Sequence, residues 1–304
     1  MRRLCVTLLV FIPALLVGAS SHRAASLAPT SPMFRVATFN IHKGADTPGH
    51  YDLKQTIETI RHLDADLVGA QEVMQNDAGL NCDDQPALIA QGLRRQTGRP
   101  WTHVYLKAWV GEDKRCLQSG RGDDANTEGV AFFTPERVVA SSFVRLSEGR
   151  VGLAVRLASM PQMPIVVTHL VANRQNQAGR EHEVAMLLPW AARQGPGILM
   201  GDFNAPPDAS ELGPVRARYL DAWAEAAAQG QIGGVVSGST RPSRRVSRID
   251  YVFYAPEVDL ALESVTVVDP STLPGLDEVS DHYPVVATFH RNRSAHSAGQ
   301  SGTR

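Results

Sequence analysis

A carboxylate and an amide stand two residues apart near the middle of the chain, where Asp202 and Asn204 flank Phe203. The apolar run 197–200 precedes them and two prolines follow at 206–207, so we predict a strand that ends at this point. Successive side chains of a strand face opposite sides, so Asp202 and Asn204 should share one face while Phe203 packs inward. Two oxygen-bearing groups would then converge where a ligand can reach them. The ordinary alternative is a simple turn, which Asp and Asn both favour.

Five other segments combine an apolar run with an acid, an amide or an imidazole. In chain order their polar residues are Asn40, Glu72, His169, Asp250, and Asp281 with His282. Carboxylate and amide oxygens can bind a divalent cation, and imidazoles can transfer protons near neutral pH. The repeated construction therefore indicates one site built from six separate segments.

The order Asn, Glu, His, Asp-x-Asn, Asp, Asp-His resembles that of the endonuclease/exonuclease/phosphatase superfamily, which includes DNase I and exonuclease III. The resemblance covers about residues 34–290. It implies phosphate-ester hydrolysis on an α+β fold, a four-layered sandwich of two mostly antiparallel sheets flanked by helices. The apurinic-site repair members carry a Lys shortly after the metal-binding Glu, whereas residues 73–75 here are Val, Met and Gln. The resemblance therefore disfavours the repair branch.

The resemblance assigns Glu72 to a divalent cation, with Asn40 and Asp281 beside it. Mg²⁺ takes one or two carboxylates and several waters, so these residues suffice, and we expect Mg²⁺ with Mn²⁺ or Ca²⁺ as alternatives. The chain has three cysteines and no HExxH motif, which argues against zinc. Taken alone, Glu72 would be interpreted as a solvated residue at the end of a strand.

Two histidine–acid pairs are predicted. Asp250 can accept a hydrogen bond from His282 and fix its tautomer, which leaves the other ring nitrogen for proton transfer. Glu128 matches the acid that orients the second histidine in DNase I-like members, so we predict that it pairs with His169. One pair would supply a base for water and the other an acid for the leaving oxygen, and the sequence does not assign these roles.

The resemblance implies that Asp202 and Asn204 position the attacking water and the phosphate. No Ser or Cys nucleophile motif occurs, so a covalent intermediate is not expected. Basic residues near the motifs are either phosphate contacts or solvated side chains. They are Lys43, Arg180, and the cluster Arg241, Arg244, Arg245 and Arg248.

This arginine cluster favours nucleic acid as the substrate over a phospholipid or sphingomyelin. A non-catalytic binding protein on the same fold is the alternative from another class, but none of the motif residues is replaced. No protein partner is inferred, and we expect a monomer.

The first residues have the layout of a secretory signal peptide, with two arginines followed by the apolar run 4–17 and the small residues 18–21. We predict export after removal of residues 1–21, to the periplasm or the medium. An uncleaved membrane anchor is the alternative, although the run is shorter than the roughly 20 residues that span a bilayer. Removal leaves 28 basic and 31 acidic residues, a charge of −3. This mildly acidic balance gives no global attraction to nucleic acid.

We divide the remaining chain into a linker (22–33), one domain (34–290) and a disordered polar tail (291–304). Helices are predicted at 51–63, 86–97, 177–193 and 216–228, and a strand at 282–289. Long loops are predicted at 111–126 and 229–247. Cys82 and Cys116 would remain after export, either as a disulfide or as two unrelated thiols.

Overall fold

The computed structural model describes residues 33–172, 175–242 and 245–291. The predicted signal peptide, Arg244, nearly all of the predicted linker and all but the first residue of the predicted tail lie outside these ranges. Within them, no helix has both the length and the apolar character needed to cross a membrane.

Thirteen strands of the described chain form two sheets. In chain order they are β1 (Met33–Asn40), β2 (Leu67–Gln75), β3 (Thr102–Val110), β4 (Thr127–Thr134), β5 (Val138–Arg145), β6 (Val151–Leu157), β7 (Met160–His169), β8 (Ile198–Asp202), β9 (Leu220–Asp221), β10 (Ile232–Gly234), β11 (Asp250–Tyr254), β12 (Leu260–Val267) and β13 (Val285–Arg291). The seven-stranded sheet has the order β10-β12-β13-β1-β2-β4-β3, and the six-stranded sheet the order β5-β6-β7-β8-β11-β9.

The helices lie between these strands in the chain. They are α1 (Leu53–His62), α2 (Gln85–Thr97), α3 (Arg115–Gln118), α4 (Gln177–Gln194), α5 (Gly213–Arg216) and α6 (Ala222–Ala228), with short 3₁₀ turns at 42–44, 78–80, 210–212 and 270–272. The three longest helices each start after a residue whose side chain accepts a hydrogen bond from a backbone N–H of the first turn, which satisfies a donor that the helix leaves unpaired. These caps are Asp52, Asp84 and Asn176.

Two apolar cores make the fold a four-layered sandwich. One core packs Ile57 of α1 and Leu93 of α2 against the outer face of the seven-stranded sheet. The other joins the inner faces of both sheets and continues to α4 and α6 on the far side of the six-stranded sheet. The order helix, sheet, sheet, helix confirms the predicted α+β fold.

Each sheet is mostly antiparallel but contains a parallel pair near its centre. These pairs are β1 with β2 and β7 with β8. Parallel neighbours end at the same edge of a sheet. Three of the four strands end in a polar residue of the predicted motifs, namely Asn40, His169 and Asp202, and Glu72 lies within β2 near its carboxyl end. Each parallel pair therefore brings two motifs together.

Two predicted elements were wrong in their bounds. The helix predicted at 216–228 is interrupted, because Asp221 belongs to β9 and then caps α6 by accepting from Trp223 N–H. The last strand begins at Val285, after His282, because Pro284 cannot donate a ladder hydrogen bond. The two predicted loops contain α3 and β10 respectively.

Cys82 and Cys116 form a disulfide, with Cα atoms 5.6 Å apart, which confirms the first of the two alternatives. The bond ties the loop before α2 to α3 across 34 residues of sequence. In the chain-entropy model a loop of this length gives about 4 kcal/mol of stabilisation.

Candidate active site

Three adjacent strands of the six-stranded sheet present a row of ionisable side chains. His169 lies opposite Asp202 in the parallel pair β7–β8, and Asp202 lies opposite Asp250 in the antiparallel pair β8–β11. All three are buried. Neighbours in register share a face of the sheet, which brings one imidazole and two carboxylates together.

A glycine makes this row possible. Gly201 precedes Asp202 with φ of 142°, and a Cβ atom there would lie 2.0 Å from the backbone oxygen of Thr168. Any larger residue would push β8 away from β7. The glycine thereby lets Asp202 approach His169.

The seven-stranded sheet contributes Asn40 and Glu72, at the ends of the β1–β2 pairing. The Asn40 side-chain amide donates to Glu72 Oε1 at 3.0 Å and to Asp202 Oδ2 at 3.1 Å. These two bonds join the edges of both sheets at one point. Asn40, Glu72 and Asp202, which come from three of the predicted motifs, are therefore joined by hydrogen bonds.

Glu72 and Asn204 reach the site by a different local geometry from the one predicted. Glu72 does not end its strand: it sits within β2 at an irregularity of register, with φ of 55°. Asn204 lies beyond the last residue of β8 with φ of 50°, so strand alternation does not position it. Its backbone N–H donates to Asp202 Oδ1 at 2.8 Å. Phe203 is fully buried, as predicted. Left-handed non-glycine residues cost free energy and often mark functional sites.

His282 pairs with Asp250 as predicted, since its Nδ1 lies 2.8 Å from Asp250 Oδ2. Its Nε2 faces two further carboxylates, with Asp202 Oδ2 at 3.7 Å and Asp281 Oδ1 at 3.8 Å. Ser280, which the sequence did not single out, accepts from His282 N–H and donates to the Asn40 backbone oxygen. Its position directly before Asp281 is the sequence feature that could have pointed to this role.

His169 is not paired with Glu128 in this structure, which corrects the prediction. Arg150 lies between them: its Nη1 is 3.1 Å from His169 Nδ1 and 3.8 Å from Glu128 Oε1. Because a guanidinium can only donate, His169 Nδ1 is the acceptor and the ring proton sits on Nε2. Arg150 was not predicted from the sequence, and the signal for it was its place directly before β6, the neighbour of β7.

The two histidines therefore differ in their protonation state. Burial lowers the pKa of His282, but the charges of Asp250 and Asp202 outweigh burial and raise it to about 10. Burial, and then the charge of Arg150, hold the pKa of His169 well below its usual range. Burial, and then the charge of Asp250, raise the pKa of Asp202. At neutral pH His282 is the charged donor and His169 a neutral one.

The donors at this edge fit a divalent cation. Asp202, Asp250 and His282 form one donor group, with ligand atoms within 4.8 Å of one another, and the buried Asp250 Oδ1 has no hydrogen-bond partner among the described residues. The predicted ligand Glu72 is linked to Asp202 by the Asn40 amide, which donates to both, and Asp281 Oδ1 lies 3.8 Å from His282 Nε2. The group with His282 needs this ring deprotonated, because imidazolium cannot ligate a metal, so we favour the carboxylates around Glu72. Asp281 also pairs with Arg241 Nη2 at 2.5 Å.

The other predicted basic residues have diverse surroundings. Lys43 Nζ is 3.8 Å from Glu128 Oε2, which places it beside the site. Arg180 is buried and ion-paired with Glu211 at 2.8 Å, so its contribution is at least partly structural. Arg248 is also buried and paired with Asp221. Arg245 is exposed.

Glu183 carries a buried carboxyl group that was not predicted from the sequence. On α4, it accepts from Val171 N–H at 2.9 Å and from Ser147 Oγ at 3.2 Å, thereby linking the segments that follow His169 and precede Arg150. Burial raises its pKa to about 7. In the unfolded chain a Glu ionises near pH 4.3. The folded state therefore holds more protons between these values, and stability should fall as pH rises from about 4.3 to about 7.

We expect Glu183→Gln to remove this dependence, because the amide is neutral throughout. Thermal melts near pH 4 should give equal melting temperatures for the wild type and Glu183→Gln. At pH 8 the melting temperature of the variant should be a few degrees higher than that of the wild type. A difference that does not change with pH would show that Glu183 ionisation is not linked to folding.

Comparison with known proteins agrees with this geometry. The sequence signature of the Endonuclease/Exonuclease/phosphatase family matches residues 37–282. The chain belongs to this family, whose members are hydrolases that act on phosphate esters and generally require a divalent metal. No curated protein sequence matches the chain.

Solved structures of this fold include bacterial and human proteins. An endonuclease/exonuclease/phosphatase from Beutenbergia cavernae is 20% identical, with a TM-score of 0.62 over 86% of this chain and 72% of that one. The human Nocturnin catalytic domain with bound sulfate is 22% identical, with a TM-score of 0.61 over 85% and 93%. A mannosyl-6-phosphatase of Bacteroides thetaiotaomicron is 15% identical, with a TM-score of 0.61 over 84% and 99%. At these identities the likeness supports the fold alone.

Proposed function

We propose that this protein is an exported, divalent-metal-dependent phosphodiesterase that acts on nucleic acid. The observation that carries the hydrolytic part is the Asp202 carboxylate, whose Oδ2 lies 3.1 Å from Asn40 Nδ2, 3.6 Å from His169 Nε2 and 3.7 Å from His282 Nε2. A base surrounded by hydrogen-bond donors suits attack of water on a phosphate. Export rests on the N-terminal sequence pattern.

The residues divide the reaction among them. Asp202, whose raised pKa suits proton transfer near neutrality, takes the proton of the attacking water while Asn204 holds its carboxylate in place. His282, charged and held by Asp250, gives its Nε2 proton to the leaving oxygen as the P–O bond breaks, and His169 Nε2–H donates a hydrogen bond to a phosphoryl oxygen. A bound cation would neutralise charge on the phosphate, and Glu72 with Asn40 and Asp281 would hold it.

Nucleic acid is favoured because a groove lined by Arg241 and Arg245 begins at Asn204. Two exposed valines favour the lipid alternative, since Val236 and Val246 each expose 67% of their surface. Both belong to the segment that leads to β11, next to the groove. We rank lipid second because, of the exposed large apolar side chains among the described residues, only these two belong to this segment.

A parallel assay of the purified protein with Mg²⁺ tests the substrate. Plasmid DNA, RNA, sphingomyelin vesicles, phosphatidylinositol phosphates and a chromogenic phosphodiester would be compared. We expect nucleic acid to be cleaved, with a rate that falls steeply as salt rises because each neutralised phosphate releases counterions. Phospholipid hydrolysis without DNA nicking at low salt would overturn the nuclease proposal in favour of the lipid one.

A further inference from the structure

A groove of about 830 Å³ opens beside the catalytic edge. Asn204 stands at one end, Pro206 and Pro207 form one wall, and Trp223 and the segment 245–249 form the other parts of its lining. Asn204 and Arg241 both line the groove, and they bond to Asp202 and Asp281 respectively, so the groove lies next to the reacting centre. A substrate at the catalytic edge can therefore extend into it.

The groove is lined by hydrogen-bond donors and carries one sign of charge. Four arginines and no carboxylate occur among its described lining residues: Arg180, Arg241, Arg245 and Arg248. Two serines also line it, at 237 and 247. The indole Nε1 of Trp223, another lining residue, is buried and has no hydrogen-bond partner within the described chain. Such a lining suits an anion.

The arginines do not contribute equally. Arg248 is fixed, since its guanidinium pairs with Asp221 at 2.6 Å and lies 4.9 Å from the Trp223 ring and 4.8 Å from the Tyr251 ring. Arg180 is held by Glu211 in the same way. Both shape the floor of the groove, while their acid partners lie outside its lining.

Arg241 and Arg245 are the more exposed members of this set. Arg241 leaves 31% of its side chain exposed and uses Nη2 for Asp281, which precedes His282. A guanidinium has five N–H donors, so further donors of Arg241 remain for a ligand. Arg245 is an exposed residue of the groove lining. Because Arg241 bonds to Asp281, an anion held by these two arginines would lie beside the catalytic edge.

We propose that Arg241 and Arg245 bind a second phosphate of the substrate, next to the one that is hydrolysed. The inference rests on the proposed phosphodiesterase function and refines its substrate class to molecules with at least two phosphate groups. Arginine suits this role because its planar fork can bind a phosphate through two parallel hydrogen bonds.

Short oligonucleotides test the subsite. The dithymidine phosphodiester, with one phosphate, would be compared with the same molecule phosphorylated at its 5′ or its 3′ end. We expect kcat/KM to rise about tenfold or more for one of the two phosphorylated forms, as a charge-assisted contact implies. Arg245→Gln, at an exposed position, should reduce this ratio to near one. Arg218→Gln, an exposed arginine outside the groove lining, should keep it.

The outcomes separate the subsite from the proposed function. If all three compounds are cleaved at the same rate, the subsite is wrong and the phosphodiesterase proposal stands. If none is cleaved, calorimetry with thymidine 3′,5′-bisphosphate decides the subsite, and cleavage of DNA or RNA in the parallel assay decides the nuclease proposal. Binding about tenfold tighter than thymidine monophosphate, lost in Arg245→Gln, would support it, and equal binding would overturn it.

Discussion

His282→Ala is expected to lower turnover by about three orders of magnitude or more, with the fold retained. The variant removes a charged hydrogen-bond donor that faces the reacting centre. It also leaves Asp202 and Asp250 as adjacent carboxylates without the imidazolium that interacts with both of them. Asp250→Asn should approach the same loss, because His282 loses the acceptor that fixes its ring and raises its pKa. Steady-state kinetics on the substrate found in the parallel assay would measure both.

A matched histidine–acid pair elsewhere provides the control. His290 lies 3.0 Å from Glu263 on strands of the seven-stranded sheet, and it is outside the candidate site. His290→Ala should retain near wild-type turnover. If Asp250→Asn also retained it, the Asp250–His282 pair would have no catalytic role, and the proposed division of labour would fail.

Removal of divalent cations is the second change with a large expected effect. EDTA should abolish hydrolysis, and Mg²⁺ or Mn²⁺ should restore it, because the single charge of the His282 imidazolium does not replace a divalent cation in neutralising the charge that develops on the phosphate. Glu72→Gln should weaken the response by raising the cation concentration needed for half-maximal rate. The amide keeps the size of the side chain and removes its charge.

Calorimetric titration of Mg²⁺ into both proteins gives a readout that does not depend on turnover. We expect weaker binding in Glu72→Gln than in the wild type. The matched control is Glu148→Gln, which should bind Mg²⁺ as the wild type does. The carboxylate of Glu148 accepts from Asn176 and lies outside the set of proposed ligands. Full activity in excess EDTA would contradict the metal-dependent mechanism.

The sequence alone determined the family and the layered fold, and it named most of the residues that the structure brings together. Asn40, Asp202 and Asp250 each follow or lie within an apolar run, and His282 precedes one, and a buried polar group at such a place needs a partner. The parallel pairs β1–β2 and β7–β8 then bring these residues to one edge. The disulfide was one of two open alternatives, and the spacing of two cysteines does not choose between them.

The tertiary structure alone decided which groups touch. Arg150 separates His169 from Glu128, and Arg248 turned out to be buried against Trp223 and Tyr251. Charge and periodicity are local properties of a sequence and can be read from it directly. The acid that pairs with a given guanidinium can lie many residues away in the chain, so the sequence does not identify it. The protonation of His282 and His169 depends in the same way on charges brought together from several strands. The chain therefore specified what chemistry is available, and long-range packing specified which residue performs each part.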